Sequence, residues 1–136
     1  AMRDTYRIGD TFTYRLATTE DMSASRYQQS SPPVFATPHL VGAVEAAAAR
    51  LMEGWLDPGE MSVGGRVELK HTAPTPLGWE VRTVATLLEA EGKRFSFRVE
   101  CFDELEKIGE AAHTRYVVRA ESFLRALEEK LRRRAR

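Results

Sequence analysis

The feature that most constrains the fold is a stretch that is helical in its spacing and apolar or small nearly all the way round. Leu40, Val41, Val44, Ala47, Ala48, Leu51, Met52 and Trp55 fall on one stripe at helical intervals, and Ala43, Ala46 and Ala49 line the opposite side. A helix of this kind belongs in an interior. Thr37-Pro38 marks its start, threonine suiting the cap and proline the first helical position. It runs to about Glu53, and Asp57-Pro58-Gly59 then breaks the chain. One such helix must be wrapped by other elements.

The wrapping is read from alternation. Thr11–Leu16 places Phe12, Tyr14 and Leu16 on one face and reads as a half-buried strand. Beyond the helix, Ser62–Thr72 is rich in β-compatible residues and contains the pair Gly64-Gly65. Trp79–Leu88 puts Trp79, Val81, Thr83, Ala85 and Leu87 on one face, and Arg94–Phe102 does the same with Phe95, Phe97, Val99 and Cys101. Glu91-Gly92 and Asp103–Glu106 are turns, and Lys107–Val118 is a last long strand. A final helix starts near Glu121, with Phe123, Leu124, Leu127 and Leu131 as its apolar stripe. The polar stretch Thr18–Pro33 has no period and suits a lid or a surface loop. The order is strand, helix, four strands, helix. The economical fold is α+β: a curved antiparallel sheet around a long central helix, with an extra C-terminal helix. A small sheet of this kind leaves edges that a second copy would cover.

The 136 residues suit one domain, taken as 2–136 because Ala1 before Met2 reads as an expression remnant. Lys plus Arg equals Asp plus Glu, so the net charge is zero. That balance argues against a nucleic-acid partner and gives no reason to sit on an anionic membrane. The longest apolar run, Val41–Ala49, is interrupted by Glu45 and falls short of a membrane span. The N-terminus shows no secretory pattern, and Cys101 is the lone cysteine, so a cytoplasmic setting is expected.

Three polar residues stand out. Glu45 sits at the rim of the buried stripe, beside Val41 and Met52. A partly desolvated carboxylate there suits a general base or nucleophile; a glutamate that reaches water from the helix edge fits the same position. His71 ends a strand just before Thr72-Ala73-Pro74, where catalytic groups are common. Thr37 caps the helix, whose N-terminal N–H groups can also hold an oxyanion. Cys101 is in phase with core residues and reads as a core thiol. His39 and His113 have no partner at metal spacing, and no HExxH, CxxC, GxSxG, P-loop or GxGxxG occurs, so neither a metal nor a cofactor is expected.

Taken together, these segments are recognisable. Val34-Phe35-Ala36-Thr37, Leu40-Val41-Gly42 and Glu45-Ala46-Ala47 resemble the start of the central helix in hotdog-fold thioesterases of the fluoroacetyl-CoA thioesterase-like group. Val63-Gly64 followed by His71-Thr72-Ala73-Pro74-Thr75-Pro76 and Gly78 is similar to that group's glycine-to-histidine strand, and Gly109 with His113-Thr114-Arg115 is a looser match. The resemblance implies a homodimer, or a higher oligomer built from it, that hydrolyses an acyl-CoA at a subunit interface. It implies Thr37, Glu45 and His71 as the catalytic set and Gly64, Phe35 and Arg115 as substrate contacts, with Gly64 approaching from the partner subunit. Where the fluoroacetyl-specific type carries an aromatic-rich lid, this chain has Tyr27-Gln28-Gln29-Ser30-Ser31-Pro32-Pro33, so the acyl group is left open. A hotdog dehydratase or hydratase and a non-catalytic acyl-CoA-binding dimer are the alternatives.

Overall fold

A computed structural model describes residues 5–136; the reading of Ala1 and Met2 lies outside the described residues. The elements are β1 (Thr11–Ala17), α1 (Thr37–Glu53), β2 (Glu60–His71), β3 (Glu80–Glu91), β4 (Arg94–Phe102), β5 (Lys107–Arg119) and α2 (Ala120–Ala135). The strand, helix, four strands, helix order therefore holds, with boundaries shifted by one to three residues, the largest shift being the end of β3 at Glu91 rather than Leu88. The strands form one antiparallel sheet in the order β1-β3-β4-β5-β2. β1 and β2 are its two edges, and α1 is the connection that crosses from one to the other.

The sheet wraps α1, which touches all five strands. Leu40, Val44, Ala47, Ala48 and Met52 are buried against Val81, Ala85 and Leu87 of β3 and Phe95, Phe97, Val99 and Cys101 of β4. The small residues on α1 are what let the sheet curve so closely around it. Thr83, in the same inward row, is fully buried and donates its hydroxyl to the Ala43 carbonyl at 2.8 Å, which satisfies a polar group in the core and fixes the helix over β3. Tyr6, Trp55 and Phe95 pack ring on ring, with centroids 5.2 to 5.9 Å apart, at the C-terminal end of α1.

β2 carries a bulge. Gly64 pairs with Arg115 and Arg66 with Thr114, so Gly65 is the extra residue. The extra residue reverses the alternation: Ser62 and Gly64 face inward before it, and Val67, Leu69 and His71 after it. A Cβ at position 65 would run into the Tyr116 ring, so a larger residue there would have to turn that exposed ring aside.

Two expectations change. Thr18–Pro33 is more ordered than a loop: it contains 3-10 turns at Glu20–Met22 and Ala24–Arg26, tied down by bonds from Ala24 N to the Val34 carbonyl and from Ala36 N to the Met22 carbonyl. The α2 stripe of Phe123, Leu124, Leu127 and Leu131 is amphipathic as read, but it is exposed, because α2 runs off the end of β5 and packs chiefly against that strand.

Candidate active site

Thr37 is not the helix cap. Ala36 holds the cap position in extended conformation, Thr37 opens the helix, and Pro38 follows in the first turn. The threonine hydroxyl is released from capping and meets Nδ1 of His71 at 2.8 Å. The contact joins the first turn of α1 to the last residue of β2. His71 Nε2 is buried and has no hydrogen-bond partner among the described residues. Both side chains line a pocket of about 280 Å³ together with Ala24, Val34, Phe35 and Ala73. Burial lowers the pKa of His71 below its ordinary value, against an opposing hydrogen bond with the Ala73 backbone, so the imidazole is held toward its neutral form. A neutral histidine with one uncommitted ring nitrogen beside a pocket is equipped to pass a proton.

The segment after His71 is itself anchored. Thr75 is fully buried and donates to Asp103 Oδ2 at 2.9 Å, while Asp103 Oδ1 accepts from the backbone N–H groups of Leu105 and Glu106 at 2.8 and 2.9 Å. Desolvation pushes the Asp103 pKa up, but these three hydrogen bonds outweigh it and leave the carboxyl below its usual range.

Glu45 stands elsewhere. It lies eight residues along α1 from Thr37, about 12 Å at the helical rise, and it is half-buried. A Cβ at Gly64 would lie 3.5 Å from Glu45 Cδ, 3.3 Å from Arg115 Nη1 and 3.4 Å from His113 Cε1. The missing side chain of Gly64 is therefore what lets these three groups converge. Within this chain Gly64 flanks its own Glu45, because the bulge turns it inward. Arg115 is buried, donating from Nε to Ser62 Oγ and from Nη2 to the Ser62 carbonyl, both at 3.0 Å. Burial lowers its pKa, and the Glu45 charge acts in the other direction.

The chain thus brings together Thr37, His71 and Phe35 at one end of α1, and Glu45, Gly64 and Arg115 further along it. It does not bring Glu45 to the Thr37–His71 pair. His113 belongs to the second group and was missed as a site residue. Its signal is in the alternation of β5, where Ala111, His113, Arg115 and Val117 share the buried inward face. Two cationic or ionisable residues in a row that should be apolar are the anomaly. Cys101 is buried in the core with its thiol pushed up to about 12, mainly by desolvation, which leaves no thiolate for chemistry. Among the described residues, no group of three metal-ligating side chains gathers, and no helix is long and apolar enough to cross a membrane.

Comparison with known proteins places the sequence and the fold. Residues 18–121 match the family model described as fluoroacetyl-CoA-specific thioesterase. The chain is 36% identical over 135 residues to the fluoroacetyl-CoA thioesterase of Streptantibioticus cattleyicolor, covering 95% of this chain and 97% of that one. A solved structure of the fluoroacetyl-CoA thioesterase FlK superposes with a TM-score of 0.87 at 35% identity, covering 93% of this chain and 98% of the other. A hot-dog-like protein from Thermanaerovibrio acidaminovorans superposes with a TM-score of 0.85 at 19% identity, covering 92% and 93% of the two chains, which establishes the hotdog architecture.

Proposed function

The chain belongs to the fluoroacetyl-CoA-specific thioesterase family, and from that premise we propose that it hydrolyses the thioester of an acyl-CoA with a small or medium acyl group, at a site shared between two copies. The observation that carries the reading is the 2.8 Å contact between Thr37 and His71, which leaves His71 Nε2 uncommitted beside a pocket. Water attacks the thioester carbonyl carbon as the Glu45 carboxylate takes its proton. The C–S bond breaks, and the thiolate, a good leaving group because thiols ionise near pH 8.5, receives the proton that Glu45 took, relayed by His71, which returns Glu45 to its carboxylate form. Thr37 holds the imidazole and the substrate in register. Backbone N–H groups at the start of α1 and near Gly64 hold the oxyanion. Phe35 and Arg115 line the substrate path.

A second copy solves the separation of the two groups. Among the described residues, β2 is a sheet edge with an unpaired outer side. Antiparallel pairing of two β2 edges lays the His71 end of one strand beside the Gly64 half of the other. Each Thr37–His71 pair then approaches the partner's Glu45 and Gly64. The reading also puts the dimer in the cytoplasm, in keeping with a single, buried Cys101.

The acyl group is not committed to fluoroacetyl. Tyr27, the aromatic residue of the stretch 27–33, is 60% exposed and bonds its hydroxyl to His39 Nε2 at 3.0 Å, away from the pocket lining. The test is free-thiol release from a panel of short and medium acyl-CoAs, beside Glu45→Ala. Release by the wild type that the variant loses supports the reading. Binding without release would replace it with a non-catalytic acyl-CoA-binding dimer, and hydration of an enoyl-CoA without thiol release would replace it with a hydratase.

A further inference from the structure

Arg115 is a buried cation without a carboxylate in contact. Its residue is 7% exposed, Glu45 acts on it electrostatically, and yet no direct ion pair closes between them among the described residues. Buried charges are usually paired. Arg115 is instead satisfied by neutral acceptors: the hydroxyl and carbonyl of Ser62, and Nε2 of His113 at 3.3 Å from Nη1.

The tautomer of His113 follows from its partners. Nδ1 lies 2.7 Å from the Arg66 carbonyl oxygen, which can only accept, so Nδ1 carries the hydrogen. Arg115 can only donate, so Nε2 offers its lone pair. Both ring nitrogens are therefore committed, and the ring is neutral. The residue is 1% exposed, and Phe97 lies against the ring with centroids 6.3 Å apart. A protonated ring would turn an N–H toward the N–H of Arg115 and lose that bond. The groups facing His113 are Arg115 on its own strand, Glu45 from α1, the Arg66 carbonyl from β2 and Phe97 from β4.

We infer that His113 is a positioning residue: held by the Arg66 carbonyl, it fixes Arg115 as an un-neutralised cation beside Glu45 and Gly64, ready for negative charge that develops there. A carboxylate in its place would hold the guanidinium equally well but would cancel its charge. A neutral acceptor does the first without the second. The bulge at Gly65 is part of the device, because it sets the register that brings the Arg66 carbonyl over Nδ1. The consequence for catalysis rests on the thioesterase reading; the immobilisation of Arg115 does not.

Two variants separate the ring nitrogens. Asparagine at 113 keeps a donor near the Nδ1 position but offers nothing to Arg115, whereas glutamine carries an acceptor out to the Nε2 position. The first readout is the ¹⁵N spectrum of the Arg115 guanidinium in the intact protein without substrate. We expect slow side-chain rotation in the wild type and in His113→Gln, and measurably faster rotation in His113→Asn, where only the two Ser62 bonds remain. The second readout is steady-state thiol release. His113→Asn should lose about tenfold in kcat with KM within about twofold, at a temperature where it is fully folded, and His113→Gln should recover much of the loss; about one hydrogen bond to a charged group is at stake. An Arg115 that stays immobile in His113→Asn overturns the inference. So does a freed Arg115 with kcat unchanged. A wild type that releases no thiol removes the proposed reaction, and the guanidinium spectrum then decides the positioning by itself.

Discussion

The Thr37 hydroxyl and His71 Nδ1, 2.8 Å apart, tie the first turn of α1 to the last residue of β2. The bond orients a ring that desolvation already holds toward its neutral form. Thr37→Ala should leave that ring free to turn and lower kcat/KM for thiol release by about tenfold, the worth of one hydrogen bond. Thr37→Ser, which keeps the hydroxyl, should stay within about threefold of wild type. Thr37 is exposed, so neither change should move the unfolding midpoint by more than surface substitutions do. Equal kcat/KM for the alanine and serine variants would remove the hydroxyl from the mechanism.

Gly64 and Gly109 are both close-approach glycines, but they should fail differently. At Gly64 the added Cβ meets Arg115 Nη1 at 3.3 Å and Glu45 Cδ at 3.5 Å, both on side chains that can shift by a few tenths of an ångström. Gly64→Ala should therefore cost activity first and stability little. At Gly109 the Cβ would stand 2.7 Å from the Lys70 carbonyl oxygen, which is backbone of the paired strand. Gly109→Ala must part β5 from β2 and should cost about 1–3 kcal/mol in denaturant unfolding. A Gly64→Ala variant that unfolds as early as Gly109→Ala would contradict the account.

Much of this architecture was legible because the core rows are clean. The alternation Val81, Thr83, Ala85, Leu87 and Phe95, Phe97, Val99, Cys101 is the buried face as read, and the all-round apolar α1 is the wrapped element. Thr37 and His71 stood out as polar residues at element ends, and they do meet. The cap assignment for Thr37 failed because a tertiary partner took the hydroxyl, and local pattern does not show tertiary partners. The Glu45 cluster is half-visible: the pair Gly64-Gly65 is plain in the sequence, but not that one of the pair is a bulge that reverses the faces of β2. That reversal sends Gly64 inward to Arg115 and His113. The α2 stripe shows the opposite failure, since amphipathic spacing says a helix has an apolar face without saying that its own chain supplies the cover.

Acid should act on stability in two windows. His71 and His113 both have folded-state pKa values below the ordinary histidine value, chiefly through desolvation. The unfolded chain therefore binds those protons more readily. Their contribution is fully present above about pH 6.5 and is lost as pH falls from there toward the folded-state values. Asp103 is a carboxyl with a lowered pKa, so its contribution holds above about pH 4 and is lost as pH falls through its folded-state value. Thermal unfolding across pH should show the first loss in the wild type, and a shallower one in His113→Gln. Asp103→Ala, which strands the buried Thr75 hydroxyl, should lower stability at neutral pH by about 1–3 kcal/mol. A pH profile in His113→Gln parallel to wild type would take His113 out of the linkage.

The placement of Glu45 away from the Thr37–His71 pair makes the shared site open to complementation. Glu45→Ala and His71→Ala should each be inactive alone. In a mixed dimer, the Glu45→Ala subunit still supplies Thr37 and His71, and the His71→Ala subunit still supplies Glu45 and Gly64. One of the two composite sites is then whole. Random assortment makes about half of the dimers mixed, each with one site of two, so about a quarter of wild-type thiol release should return on co-expression. If each chain carried a complete site, every site in the mixture would lack one residue and nothing would return. Recovery that falls with dilution, in step with dissociation of the dimer measured by sedimentation, would tie the restored activity to the interface itself.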